Sequence, residues 1–147
     1  MTRPTTVDVL NRLLALHHRS LPQYLCSAPP WCTSRDEQAD RVLRQVAQDQ
    51  RLMVERIGSA VLAAGGRPDL GEFPMSFTGL HDLSLGYLLG EVTRRLQQDM
   101  PILRECVSQL QHAPAARALA EEALGAAEGH LQNLQEVMRP TLSVVSP

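Results

Sequence analysis

The chain has 147 residues and a formal net charge of -2, with 14 Lys and Arg against 16 Asp and Glu. A chain of this length sustains one hydrophobic core without staples, and so even a charge balance excludes the basic face on which electrostatic nucleic-acid binding depends. No run approaches the roughly 18–20 apolar residues of a membrane span, and no signal-type apolar segment follows the polar residues 1–8.

A cytoplasmic location is therefore expected, and an odd number of cysteines, Cys26, Cys32 and Cys106, suits it. Hydrophobic residues make up 44% but aromatics only 3%. A core poor in aromatic strand formers and built mainly from Leu, Val, Ala and Met predicts an all-α fold in a single domain.

The first helix is expected over residues 7–25. Thr5 or Thr6 caps it, Asp8 sits at its positive end, and Leu10, Leu13, Leu14, His17, Leu21 and Tyr24 form its apolar stripe. Pro22 should kink it, and the proline pair at 29–30 ends it. A second helix over 34–64 opens on a Ser34/Glu37 capping pattern, presents Val42, Val46, Met53, Ile57 and Val61 inward, and stops at Gly65-Gly66-Arg67-Pro68. A Gly- and Pro-containing crossover follows, over 69–77. The third helix, expected over 78–110, carries Leu85, Leu89, Val92, Leu96, Leu103 and Leu110, with a bend at Pro101. The fourth, over 115–138, turns Leu119, Ala123, Ala127, His130, Leu134 and Val137 inward. The ends, about 1–6 and 140–147, are expected to be irregular. Two long helix pairs joined by a long crossover between helices two and three are the layout of an antiparallel four-helix bundle of the ferritin-like kind.

Particular residues carry a family resemblance. Residues 10–16 through Gln23-Tyr24-Leu25 resemble the first helix of bacterioferritins; Glu55-Arg56-Ile57 and Gly66-Arg67-Pro68 resemble the second helix and its exit. Glu128-Gly129-His130 resembles the end of the fourth-helix metal motif. The resemblance implies a homodimer through the first two helices and a two-iron centre built from one Glu on each of two helices and a Glu-x-x-His on each of the others. Carried onto this sequence, the ligand positions fall at His17, Gln50, Met53, Leu96, Ala127 and His130, so only the last keeps its ligand. Ordinary ferroxidase chemistry is not expected, and the chain reads as a non-catalytic binding or assembly module.

A different metal centre is the competing expectation. His17, Asp49, Asp99 and His130 offer one inward polar group per helix, a donor set suited to a single Zn, Fe or Mn ion. With Met53 in place of the carboxylates, the set suits Cu(I). Each residue also has a structural reading. A histidine in an apolar stripe is commonly a hydrogen-bonded core residue, Met53 fills space, and Asp49 and Asp99 can pair with arginines such as Arg51 and Arg95. His18 is expected at an interface and His81 in a loop contact. Cys106 reads as a buried thiol, and Cys26 and Cys32 as a reversible redox pair.

Overall fold

The computed structural model describes residues 4–27, 36–80 and 83–139. All its regular structure is helical: α1 (Thr6–His18), α2 (Leu21–Ser27), α3 (Glu37–Ala63), α4 (Leu85–Gln109) and α5 (Pro114–Met138), with a 3-10 turn at Met75–Gly79. No strand occurs among the described residues, and none of their helices is long and apolar enough to cross a membrane.

The single first helix expected over 7–25 is two helices. Thr5 caps α1 as anticipated: its hydroxyl accepts from the Asp8 amide at 3.1 Å, and the Asp8 carboxylate accepts from the Thr5 amide at 3.1 Å. Pro22 breaks it, because in a continuous helix its ring would collide with the His18 carbonyl. The chain turns at Arg19–Ser20 and restarts at Leu21, which places Pro22 in a first turn, where a missing amide is harmless. The break later proves to shape a cavity.

The third helix is also shorter than expected. It starts at Leu85, where the Ser84 hydroxyl caps the Tyr87 amide, and residues 75–79 form the separate 3-10 turn. Pro101 does not interrupt α4. The Ser34 capping pattern lies outside the described residues, and α3 begins at Glu37.

The core draws on every α-helix. Leu10, Leu13 and Leu14 of α1, Leu21 of α2, Ile57 and Val61 of α3, Leu85 and Leu88 of α4, and Leu134 of α5 are all but sealed from solvent. The buried face of α5 is mostly alanine (Ala116, Ala120, Ala123 and Ala127), so it presents little bulk to the leucine-rich face of α4. The short connection over 110–113 folds α5 back onto α4, while α1 packs on α3 and α4, and α3 on α5. Across the outside, Arg56 of α3 makes two parallel 2.7 Å bonds to Glu122 of α5, and Arg12 of α1 lies 3.4 Å from Glu105 of α4.

The crossover from α3 to α4 is held against α1. The Asn11 side chain donates to the Arg67 carbonyl at 3.0 Å and accepts from the Asp69 amide at 2.8 Å. Gly65 leaves α3 with φ +84, and at Gly66 a Cβ would lie 2.5 Å from a Val7 methyl, so only glycine lets the exit pass. Farther on, Phe73 stacks on His18 at 6.1 Å and meets Tyr24 edge-on at 5.4 Å, while Phe77 buries itself against both Phe73 and Tyr24.

Candidate functional site

Helical spacing explains how the candidate residues converge. Gln50 and Met53 on α3, and Ala127 and His130 on α5, are three residues apart and so share one face of their helix. His17 comes from the last turn of α1, and Leu96 and Asp99, again three apart, from the middle of α4. All seven, together with Asp49, line a single small cavity of about 30 Å³. That space has room for a water molecule or two. Every residue proposed from the sequence as a metal ligand, His17, Asp49, Asp99, His130 and Met53, is at its wall.

Sharing a wall is not the same as sharing an ion. The closest approach among the charged candidates is His130 Nε2 to Asp49 Oδ2, 3.3 Å. The two are within electrostatic reach but poorly aligned, so Nε2 is buried with no hydrogen-bond partner. Among the described residues, no three His, Cys, Asp or Glu side chains are grouped so as to hold a metal ion. A two-iron group fits still less well. Its four carboxylate positions carry an imidazole, an amide and two aliphatic side chains at His17, Gln50, Leu96 and Ala127, and none of these can neutralise two dications as carboxylates do.

The electrostatics favour neutral imidazoles. His17 Nδ1 lies 2.8 Å from the Leu13 carbonyl. A carbonyl only accepts, so Nδ1 carries the proton and Nε2 keeps its lone pair. Burial pushes the His17 pKa below 6.5, against the pull of that hydrogen bond, and nearby His130 lowers it further. The His130 pKa is also depressed by burial, partly offset by Asp49. Asp99 behaves in the opposite sense for the same reason: desolvation raises its pKa from 3.8 to about 6, even though Arg19 and Arg95 oppose the rise.

A second, larger cavity of about 240 Å³ adjoins the first, the two sharing Leu16, Gln50, Leu96 and Asp99. It is opened by the break after α1, which exposes Arg19 and Ser20 to it. Phe77 of the crossover, Val92 and Arg95 of α4 and Leu21 of α2 supply further wall. Gln50 sits between the cavities, buried, with its Oε1 accepting from Ser20 Oγ at 2.7 Å and from Gln23 Nε2 at 3.5 Å. Gln23 is held in turn by the Ala47 carbonyl at 2.6 Å.

Sequence reasoning missed this network and this cavity. The one signal present was Arg95 four residues before Asp99, which puts both on one face of α4. Arg95 does not close an ion pair with Asp99; its Nε lies 3.6 Å from Glu91.

The remaining expectations divide. Cys106 is fully buried, and burial raises its thiol pKa. Cys26 is an exposed free thiol, while Cys32 and His81 lie outside the described residues. His18 is taken up by its stacking on Phe73 within the chain. No protein-family model matches the sequence, and no curated protein matches it either.

Proposed function

We propose that the chain is an antiparallel four-helix bundle of the ferritin-like kind whose two-iron centre has been replaced by a polar pocket. It serves as a non-catalytic binding and assembly module. One observation carries the reading: the six positions that the bacterioferritin resemblance assigns to iron ligands, 17, 50, 53, 96, 127 and 130, line one cavity, and none holds a carboxylate. Their meeting at one point is what a shared ancestral site leaves behind when its ligands are lost.

The module is a homodimer. Large apolar side chains stand exposed on α3 and the crossover, Leu62 at 62%, Leu52 at 51% and Met75 at 83%. Of these elements α3 is one of the two helices through which the resemblance implies pairing, and exposed apolar surface of this kind marks protein contacts. Two measurements test the proposal. Aerobic oxidation of added Fe(II), followed by absorbance, is expected to run no faster than in buffer, and light scattering on a sizing column is expected to give twice the chain mass. Rapid oxidation overturns the non-catalytic reading, and a monomer removes the dimer.

The second reading is a metalloprotein with an altered single-ion centre, a carrier or oxidoreductase using His17, Asp49, Asp99 and His130, with Met53 as an alternative. It is favoured by the presence of all five at one cavity wall. It requires the side chains to close in on the ion, because the one ion-pairing approach among these residues is His130 Nε2 to Asp49 Oδ2 at 3.3 Å.

A further inference from the structure

The larger cavity gathers polar groups whose bonding is incomplete among the described residues. Arg95 is laid over the Phe77 ring, its Cζ 4.7 Å from the ring centre, which fixes the guanidinium on the wall. Its Nε is buried, 3.6 Å from a Glu91 oxygen and without a hydrogen-bond partner among the described residues. Arg19 lines the same cavity from the break after α1. Asp99 lies between them in electrostatic terms, yet it accepts no hydrogen bond and forms no close ion pair among the described residues. The Gln50 amide is oriented by Ser20 and Gln23 through its oxygen, so its NH2 is the end left for the cavity. Apolar side chains, Leu21, Val46 and Val92 beside the Phe77 ring, supply much of the remaining wall. Buried polar groups are almost always partnered in folded proteins, and a cavity that combines an apolar wall with a few convergent polar groups is the usual form of a small-molecule site.

We infer that this cavity binds a small organic acid with an apolar body and a hydrogen-bond donor beside its carboxylate, that is, an α-amino or α-hydroxy acid. The carboxylate takes the two guanidiniums, for which its paired oxygens are matched. The amine or hydroxyl next to it donates to Asp99. A branched body of about four carbons lies on Leu21, Phe77 and Val92. A volume of about 240 Å³ admits such a molecule. This reading rests on the cavity alone; it needs Asp99 free of a metal ion and is independent of whether the chain pairs with a second copy.

The test is calorimetric titration of the full chain with leucine, with 2-hydroxy-4-methylpentanoate and with 4-methylpentanoate, which lacks the donor. Saturable binding at one site per chain is expected for at least one donor-bearing acid, with 4-methylpentanoate weaker. Arg95→Gln and Arg19→Gln should each weaken binding tenfold or more. Asp99→Asn should erase the advantage over 4-methylpentanoate. Arg56→Gln, an equal charge change at a residue lining neither cavity, should leave binding unchanged. The two arginine variants guard against misfolding in either one, and circular dichroism of each reports that its helices are intact. Preference for leucine or for the hydroxy acid tells which of the two sources supplies the donor. No saturable binding of any of the three, or binding indifferent to both arginine variants, overturns the inference. Neither result bears on iron oxidation or on chain mass in solution.

Discussion

Replacing Asp99 with asparagine should stabilise the protein, and by an amount that depends on pH. The carboxyl is partly buried between two cavities, accepts no hydrogen bond from the described residues, and has its pKa raised from 3.8 to about 6 by desolvation. A folded-state pKa above the unfolded value means that the protonated form favours folding. Its contribution is complete below about 3.8 and is lost as pH rises through about 6. A shift of roughly two units corresponds to a ceiling of about 3 kcal/mol, which partial solvent screening reduces to about 1–2 kcal/mol. Asparagine keeps the shape and cannot ionise. Asp99→Asn should therefore exceed the wild type in stability by about 1–2 kcal/mol near pH 8, and the gap should close as pH falls towards 4. Urea unfolding followed by far-UV circular dichroism at several pH values measures both ends. A variant less stable near pH 8, or an offset unchanged across the range, would refute the assignment of an unpartnered, desolvated carboxyl.

Three further substitutions probe other parts of the account. The His17 pKa is lowered below 6.5 by burial, so acid protonates the unfolded chain first and stability falls below that pH by up to about 1.4 kcal/mol per unit. His17→Leu should flatten this acid limb, and an unchanged slope in the same urea series would count against a buried neutral imidazole. Gly66→Ala places a methyl 2.5 Å from Val7 and should lower the melting temperature, with Val7→Ala restoring part of the loss; strictly additive effects would show that the two do not meet. Ile57 is sealed in the core, and Ile57→Ala should cost about 2–5 kcal/mol in urea unfolding, whereas a cost below about 1 kcal/mol would misplace the core face of α3.

What could be read in advance followed local spacing. The stripe Val46, Met53, Ile57 and Val61 is buried because residues at helical intervals must share a face whatever surrounds them. The same geometry places Gln50 with Met53, and Ala127 with His130, on one helix face each; that these positions belong together is an expectation drawn from the family resemblance, and they line one cavity. The break at Arg19–Ser20 was foreshadowed by Pro22, but not its consequence. Opening the first helix there lets Arg19, Ser20 and Leu21 face Phe77 and Arg95, residues more than fifty positions away, and no interval within one helix encodes that meeting. The crossover was unreadable for a related reason. Its path is set by Asn11 bonding to Arg67 and Asp69 and by Phe73 meeting His18 and Tyr24, pairings that lie between segments distant in sequence. The candidate residues are legible as positions on helix faces. Their separation is not, because whether His130 meets Asp49 or His17 depends on rotations of α3 and α5 too small for a periodic pattern to resolve.

Metal content decides the central proposal most directly. Purified wild-type protein and a His17→Ala, His130→Ala double variant are each reconstituted with Fe, Zn, Mn and Cu(I), desalted, and analysed by inductively coupled plasma mass spectrometry. A ferritin-like frame that has lost its centre predicts only background metal in both proteins. One ion per chain in the wild type, absent from the double variant, would contradict it and make the pocket of His17, Asp49, Asp99 and His130 a working metal site.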